Sequence, residues 1–324
     1  MNWLDDAVAK AADAQPVVPV SDIPEVVPGR VLIVDGDYLA YNMAGNDETE
    51  PGKARGNLLN RLHNMKVMGG CESITVHLTA SGSTKADRYV IAATVPYQNK
   101  RSGRRPKNWA YLREFMEGYT GDKFSVKVWG TREADDGMAY HAMILGVDKA
   151  CIATRDKDLR MVPAHHLDWQ TYQLIRLGDE FEVTGVNGLL YGPKWFWTQC
   201  LQGDDADDIP GLPRYVPPSG KPQKVGEVTA AKFLKVAKSN AEAFTTVAAL
   251  YRTYYNERWP DQLAEQMALL WIRRDKFAEL DDCLEWVLGD LKDSDVYMCM
   301  WHAFNRLSTR VKNAKAEVAN IGKA

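Results

Sequence analysis

An uninterrupted apolar run that ends in Asp-Gly, RVLIVDGD at residues 30–37, limits the fold class of this chain. A run of this kind is typical of a strand that is buried on both faces of a parallel sheet. The strand-like segments SITVHLT, FSVKVW and ACIATRD follow, with helical patterns at residues 53–68 and from Glu133 onwards. Strands interleaved with helices predict an α/β fold with a mainly parallel sheet, which binds ligands beyond the carboxyl ends of its strands.

The rest of the chain is less regular. The segment TYQLIRLGDEFEVTG (171–185) predicts a β-hairpin with Gly-Asp at its turn, and from about residue 193 the pattern is helical. The helices include NAEAFTTVAALYRTYYNER and DQLAEQMALLWIRRDKFAEL. After residue 276 a helical pair is expected, with Met298, Met300 and Trp301 in its core or, as the alternative, in contact with a replication or recombination protein.

Bulk composition predicts a soluble, cytoplasmic protein. The chain has 324 residues, 45% of them hydrophobic, but no apolar run approaches the roughly 20 residues of a membrane span. The five cysteines are scattered without a CxxC pair, which indicates reduced thiols rather than a zinc site. The six histidines form no HxxH or HExxH spacing either. The net charge of −3 does not by itself indicate a nucleic-acid partner.

Carboxylates follow several of the predicted strands. Singly, each acid has an ordinary explanation as a turn residue, a helix first-turn acid or a solvated loop residue. Together they would meet at one edge of the sheet and repel one another, unless hard cations such as Mg²⁺ or Mn²⁺ bind between them. Enzymes that hydrolyse phosphodiesters commonly use two such ions bound side by side. The acids are Asp35, Glu133, Asp135, Asp136, Asp156, Asp158, Asp204 and Asp207.

A basic segment could hold the phosphates of such a substrate. Residues 97–113 contain six Lys or Arg residues and no acid, which alone could be a solvated charge run. Tyr97, Trp109 and Tyr111 are interleaved with them, and aromatic side chains among cations can stack unpaired bases. Trp109 and Tyr111 could equally form the buried side of a helix. The basic residues are Lys100, Arg101, Arg104, Arg105, Lys107 and Arg113.

The ordered motifs VDGD (from 34), PYQNKR (96), EADD (133), RDKDL (155) and GDDADDIPG (203) resemble the bacteriophage 5′-3′ exonuclease and flap endonuclease family, over about residues 30–275. That family is related to the 5′-nuclease domain of bacterial DNA polymerase I. The resemblance implies a PIN-like core, a helix-hairpin-helix-type (H3TH) module and two divalent metals. It also implies cleavage of DNA near 5′ ends and flap junctions.

The resemblance gives all eight acids as metal ligands, with Asp35, Glu133, Asp135 and Asp136 also catalytic. Lys100 and Arg101 would stabilise the charge of the transition state. Two departures from the family pattern matter: the second strand is followed by Thr79 rather than an acid, and Gln98 stands where a phosphate-binding lysine is expected. Asp208 replaces the usual Asn.

A third departure is an insertion of about ten residues before the Gly-rich turn of the family. In that family the turn presents backbone amides to duplex phosphates and often binds K⁺. The residues that the resemblance and the basic segment predict to bind DNA are Tyr97, Lys100, Arg101, Arg104, Arg105, Lys107, Lys224, Gly226 and Thr229.

Four regions are therefore expected: a flexible arm (1–28), a nuclease core (29–200) with a basic arch (97–119), an H3TH module (201–275) and a C-terminal helical extension (276–324). The expected protein is a monomeric, structure-selective 5′ nuclease of phage-type DNA replication or recombination in the host-cell cytoplasm. Its substrates would be 5′ flaps, nicks and duplex ends. The alternatives are a PIN-type ribonuclease and a catalytically weakened protein that binds branched DNA.

Overall fold

The computed structural model describes residues 23–100, 103–217, 220–292 and 294–321. Within them the strands are β1 (Val31–Asp35), β2 (Ser73–Thr79), β3 (Ser125–Trp129), β4 (Ala150–Ala153), β5 (Ala164–Leu167), β6 (Leu174–Leu177), β7 (Val183–Thr184) and β8 (Leu190–Tyr191). The α-helices are α1 (Gly36–Met43), α2 (Pro51–Met68), α3 (Arg88–Ile91), α4 (Trp109–Glu117), α5 (Ala134–Leu145), α6 (Pro193–Gln202), α7 (Glu227–Phe233), α8 (Asn240–Tyr255), α9 (Trp259–Leu270), α10 (Leu280–Leu288) and α11 (Asp295–Ile321). Short 3-10 helices include Lys85–Asp87 and Lys157–Met161.

Six strands form one sheet in the order β3-β2-β1-β4-β5-β6. All neighbours from β3 to β5 are parallel, and only the β5–β6 pair is antiparallel. The predicted α/β class with a mainly parallel sheet is therefore confirmed. In the centre, Asp35 at the end of β1 lies in register with His77 of β2. The carboxyl ends of β1 to β4 consequently share one edge.

Helices cover both faces of this sheet. Leu32 and Val34 of β1 pack in a core that includes buried residues of α1, α2 and α4. Ile33, which points to the opposite face, belongs to a second core with α5 and α6. This second core continues without a break into α8, α9, α10 and α11. The C-terminal helices thus share apolar packing with the strands rather than forming a core of their own.

Two sequence predictions about elements are wrong. The segment 171–185 does not fold as a hairpin, because β6 pairs with β5 and β7 pairs with β8. The helix expected through residue 280 ends at Leu270, and the chain between α9 and α10 has no regular structure. This connecting segment, residues 271–279, carries backbone groups that reach the site described below.

The predicted arm (1–28) lies mostly outside the described residues, and Val27 at its end donates a backbone hydrogen bond to Gly70. All five cysteines are free thiols, four of them buried. No helix in the described part of the chain is long and apolar enough to cross a membrane.

Candidate metal centre

Asp35 stands where β1 turns directly into α1. Its Oδ1 accepts a hydrogen bond from the backbone N–H of Tyr38 at 2.9 Å, which caps the helix, and its Oδ2 accepts one from Thr154 Oγ1 at 3.1 Å. The next residue must be glycine, because a Cβ at Gly36 would lie 2.6 Å from Val76 and 2.8 Å from the carbonyl oxygen of His77. The Asp-Gly pair therefore presses α1 against β2 and leaves the Asp35 carboxylate at the edge of the sheet.

Three further acids lie at the start of α5. Glu133 is the N-cap, and its side chain is 12% exposed. Asp136 is completely buried, and both its oxygens accept hydrogen bonds from the Arg88 guanidinium at 2.9 Å. Its Oδ1 also accepts from the backbone N–H of Arg273 at 2.9 Å. In the described structure Asp136 is thus the partner of an arginine, while Glu133 and Asp135 remain closer to solvent.

The acids after β4 meet those after α6. One carboxylate oxygen each of Asp158, Asp204 and Asp207 lies within 4.8 Å of the others. Asp156 caps the 3-10 helix that carries Asp158, accepting from its backbone N–H at 2.9 Å. Gln199 of α6 donates to Asp158, which ties the two segments together.

The loop that carries Asp204 and Asp207 is closed on itself. Asp204 N donates to Ile209 O at 2.7 Å, and Ile209 N donates back to Asp204 O at 2.9 Å. Gly203 has a φ of 77°, and a Cβ there would lie 2.2 Å from the carbonyl oxygen of Ile209. Only glycine fits this position, so the GDDADDIPG motif encodes the loop geometry as well as the acids.

The acids influence one another electrostatically. Burial, followed by the charge of Asp37, raises the pKa of Asp35 to about 7. The pKa of Asp135 is raised well above its usual value by burial and by neighbouring acids, with Asp136 and Glu133 the foremost. The likewise elevated pKa of Asp158 reflects burial, then the charges of the acids at 156, 204 and 207.

Asp156 lies between two sets of acids: Asp35 and the acids at the start of α5 on one side, and Asp204 and Asp207 on the other. The Asp156 side chain reaches solvent. Desolvation by the surrounding protein, followed by the charges of Asp207 and Asp204, nevertheless raises the pKa of Asp156 to about 6. Its charge also contributes to the raised pKa values of Asp35 and Asp135. The structure therefore brings all the predicted acids into one electrostatic group. Asp136 differs because burial is outweighed by Arg88, which lowers the pKa of this carboxyl.

Tyr97 and Gln98 lie between the two halves. The Tyr97 hydroxyl is 2.8 Å from Glu133 Oε2 and 3.0 Å from Asp207 Oδ2. The Gln98 amide nitrogen donates to Glu133 at 3.2 Å and to Asp207 at 3.0 Å. Tyr97 is only 5% exposed, so its ring would have to leave this position to stack on a base. In the structure both residues hold carboxylates in place.

The basic segment lies beside the acids. Lys100 Nζ is 2.7 Å from Asp208 Oδ1, so the buried charge of Asp208 has a cationic partner. Arg104 pairs with Asp47 at 3.0 Å, and Arg105 stacks on Trp109 at 4.0 Å. Arg104, Arg105 and Lys107 are exposed, whereas Trp109 and Tyr111 pack partly against the core. Arg101 lies outside the described residues.

The predicted Gly-rich turn is at the surface. Gly226 is the exposed N-cap of α7, a helix of seven residues, and a Cβ there would meet no atom within 4 Å. Lys224 Nζ lies 3.2 Å from Asp205. Thr229 is half-buried. This turn is separate in the chain from the acids, and its role in binding DNA or K⁺ stays a prediction.

Sequence reasoning missed several charged groups. Asp37, in the first turn of α1, accepts from Thr79 N at 3.1 Å and thereby brings a carboxylate to the end of β2, where the family acid is missing. Arg113 binds the same carboxylate. Lys157 Nζ lies 2.8 Å from Asp204, and Lys85 Nζ lies 3.5 Å from Glu133. Asp37 and Lys157 stand inside the VDGD and RDKDL motifs, whereas Lys85 lies outside every motif.

The donor set fits hard divalent cations. Carboxylate oxygens are the ligands that Mg²⁺ and Mn²⁺ prefer, and the convergence of Asp158, Asp204 and Asp207 provides several on one side. Burial, followed by the charges of neighbouring acids, raises the pKa of Asp158, and a cation bound between these acids would relieve their repulsion. Lys157 neutralises part of the charge, and the uncharged amide of Gln98 donates a hydrogen bond to Asp207.

No protein-family model and no curated protein sequence matches the chain. Three solved structures from bacteriophage T5, each 14% identical in sequence, are similar in fold. Zinc-bound T5 5′-exonuclease has a TM-score of 0.55 and covers 88% of this chain and 98% of its own. T5 D15 protein with metal ions, at a TM-score of 0.52, covers 88% and 98%. A T5 D15 flap endonuclease variant, in a pseudo-enzyme-product complex with DNA and metal ions, also has a TM-score of 0.52 and covers 87% and 99%. The chain therefore has the fold of the T5 5′-exonuclease structures, as expected from its motifs.

Proposed function

We propose that this protein is a divalent-metal-dependent, structure-selective 5′ nuclease that hydrolyses DNA phosphodiesters near 5′ ends and flap junctions. The observation that carries the proposal is the convergence of Asp158, Asp204 and Asp207 within 4.8 Å, in one electrostatic group with the acids at the ends of β1 and at the start of α5. The T5-like fold supports it further, because the neighbours with that fold include nucleases with bound metal ions and DNA.

Two groups of acids could hold two Mg²⁺ or Mn²⁺ ions. Asp156, Asp158, Asp204 and Asp207 would hold one, and Asp35, Glu133 and Asp135 the other. Asp136 would join the second group only if Arg88 shared its carboxylate, since both its oxygens are bound. When bound, the ions would activate a water molecule and stabilise the charge that develops on the cleaved phosphate.

The protein side chains would prepare the site for this chemistry. Tyr97 and Gln98 orient Glu133 and Asp207 from between the two groups. Lys157 would give up its contact with Asp204 when a cation binds there. Lys100 and Arg101 would contact the phosphate and stabilise the negative charge of the transition state.

The DNA itself would lie across the basic surface. We propose that Arg104, Arg105 and Lys107, all exposed, neutralise phosphates close to the cleaved end, while the Lys224–Gly226–Thr229 turn contacts the duplex farther away and binds K⁺. This assignment corresponds to a nuclease core (29–200) with its arch (97–119), an H3TH module (201–275) and a C-terminal extension (276–324). The proposed setting is phage-type DNA replication or recombination, with a monomer acting in the host-cell cytoplasm.

An end-labelled cleavage assay tests the proposal. Purified protein is incubated with 5′-flap, nicked and blunt DNA duplexes in Mg²⁺, and matched RNA flaps serve as a second substrate set. We expect cleavage of DNA near the flap junction or 5′ end, leaving 5′-phosphate and 3′-hydroxyl ends, and no cleavage in EDTA. A protein that is folded and binds Mg²⁺ but leaves all the DNA substrates intact would refute the proposal.

The same assay separates the alternatives. Faster cleavage of RNA than of matched DNA would favour a PIN-type ribonuclease. Tight binding of branched DNA in Mg²⁺ without product would instead favour a catalytically weakened protein that binds branched DNA. Titration of Mg²⁺ by calorimetry then distinguishes one bound ion from two.

A further inference from the structure

Lys85 is held in an unusual backbone conformation. Lys85, Ala86 and Asp87 have φ values of 49°, 56° and 64°, so three consecutive residues other than glycine are left-handed. The left-handed form is unfavourable for such residues because it brings Cβ too close to the following carbonyl oxygen. Left-handed runs in L-residues are rare, and strain of this kind concentrates at functional sites, where the surrounding structure enforces it.

The surrounding structure does enforce it here. The Ala86 backbone N–H donates to Thr131 O at 2.9 Å, and Thr84 Oγ1 donates to the same carbonyl at 2.9 Å. Ser83 Oγ donates to Arg132 O at 2.7 Å. The turn is thus fastened to residues 131–132, directly before Glu133. The position of Lys85 relative to the acids of α5 is fixed by these bonds.

The turn directs the lysine side chain into the acid cluster. Lys85 Nζ donates to Gln98 Oε1 and lies 3.5 Å from Glu133 Oε1. It also lies 5.4 Å and 6.0 Å from the ring centroids of Tyr89 and Tyr97. The side chain retains 19% of its exposure, so the ammonium group borders the cluster without being sealed inside it.

This ammonium group occupies a place that the sequence leaves neutral. Gln98 is uncharged, and Lys100 Nζ contacts Asp208. The amide of Gln98 reaches Glu133 and Asp207, so a cation held at Gln98 Oε1 is adjacent to acids of both proposed metal groups. Once metal ions neutralise these acids, an ammonium group on a flexible side chain is free to bind a phosphate oxygen as a point charge.

We propose that Lys85 is a catalytic residue that binds the phosphate to be cleaved, supplying from the left-handed turn the cation that is missing at position 98. The inference rests on the proposed nuclease function and assigns a phosphate contact to a residue outside the motifs. Gln98 would then position Lys85 by accepting its hydrogen bond.

A pair of substitutions that moves the positive charge from position 85 to position 98 tests the proposal. Lys85→Met should lower kcat on a 5′-flap substrate by at least about 100-fold, the usual loss when one stabilising donor is removed, with little change in KM. Adding Gln98→Lys should restore a large part of this loss, because the two side chains touch. Lys123→Met is the matched control, since the exposed Lys123 precedes β3 at the opposite edge of the sheet, and it should leave the rate unchanged.

A binding measurement provides a readout that does not depend on cleavage. Single methylphosphonates are placed at successive positions around the flap junction, and affinity is measured by fluorescence anisotropy in Ca²⁺. At the phosphate that Lys85 contacts, neutralisation should weaken wild-type binding by about 10-fold more than it weakens binding by Lys85→Met, because the variant has already lost the lysine contact while contacts with the metal ions are common to both proteins.

The outcomes are distinguishable. If wild type cuts DNA while Lys85→Met cuts equally fast, the Lys85 proposal fails and the nuclease proposal stands. If wild type does not cut DNA but the methylphosphonate coupling is present, the nuclease proposal fails and the phosphate contact stands. An absence of coupling at every position, or a Lys85→Met defect that Gln98→Lys leaves uncorrected, overturns the role of Lys85.

Discussion

Asp158 is a carboxylate whose charge a bound cation would stabilise. It is buried, faces three other aspartates, and has a pKa well above its usual value. Such a group destabilises the metal-free fold when ionised, and it contributes affinity when a metal binds. Stability without metal and function with metal are therefore opposed at this residue.

Asp158→Asn should expose this opposition. At pH 8 in EDTA, we expect the variant to be more stable than wild type by about 1 kcal/mol, because a neutral amide removes repulsion while keeping an acceptor for Gln199. In Mg²⁺ it should lose most of the stabilisation by metal and at least about 100-fold in cleavage rate. Urea unfolding in both conditions and the flap assay measure these effects.

Asp148→Asn is the control, because Asp148 is 80% exposed and pairs only with Arg176 at 3.7 Å in the described contacts. It should change neither quantity. If Asp158→Asn kept wild-type Mg²⁺ stabilisation, Asp158 would not be a metal ligand.

Residues of the site were unequally predictable from the sequence. The acids were visible because each follows a strand or opens a helix, and their order matches a known set of motifs. Arg88 and Lys85 were not visible, since their contacts with Glu133 cross about 45 residues and depend on how a left-handed turn docks. Local patterns carry no information about such long-range pairing.

At the scale of elements, α5 is fastened to the segment after α9. Arg88 binds Asp136 and also donates to Trp271 O at 3.1 Å, and Arg273 donates from its backbone to Asp136 at 2.9 Å. Arg132 donates to the carbonyl oxygens of Asp275 and Lys276. The irregular segment 271–276 thus holds the first turn of α5, on which Glu133 and Asp135 depend.

Asp136→Ala should therefore lower the stability of the folded protein. Removing this carboxylate leaves the buried Arg88 unpaired, and we expect the free energy of unfolding to fall by about 3–5 kcal/mol. Asp135→Ala is the matched control, because burial and then the charges of neighbouring acids raise the pKa of Asp135, so loss of this carboxylate should not lower stability. Urea unfolding in EDTA measures both. Equal stabilities would show that the Arg88 pair does not contribute, and a pure loss of cleavage would instead support Asp136 as a metal ligand.

Strands could be predicted from the sequence where they consist of a continuous run of buried apolar residues. The apolar runs of β1, β2 and β4 matched strands closely because both faces of the sheet are covered. The hairpin prediction at 171–185 was wrong because β6 pairs with β5, whose sequence AHHL has two histidines and no strand signal. The end of α9 was not predicted because it depends on long-range contacts. After Leu270, Trp271 O accepts a hydrogen bond from Arg88, and Arg273 N donates one to Asp136.

For the whole molecule, the acids make stability depend on pH and metal together. The pKa values of Asp35 and Asp156 are raised to about 7 and about 6 from 3.8. A raised carboxyl pKa favours the protonated form in the fold, so this stabilisation is complete below pH 3.8 and is lost as pH rises through 6 and 7. Asp136 has the opposite shift and matters only in acid.

We therefore expect the Tm of the metal-free protein to fall by about 4 °C or more between pH 5 and pH 8. Mg²⁺ should raise the Tm strongly at pH 8 and weakly at pH 5, because the ligands must lose protons to bind the ion. Calorimetric scans in EDTA and in Mg²⁺ at the two pH values provide the measurement. A Tm in EDTA that rises over this range would contradict the cause given for the shifts.

The hold of residues 271–276 on α5 also bears on biosynthesis. A ribosome releases β1 to β4 and every acid of the cluster well before these residues leave its exit tunnel. The growing chain would thus carry the ligands but not the clasp that keeps the α5 acids in place. We expect a nascent chain that ends before residue 271 to lack the ordered acids of α5 and hence, under the proposed function, to show no cleavage of DNA.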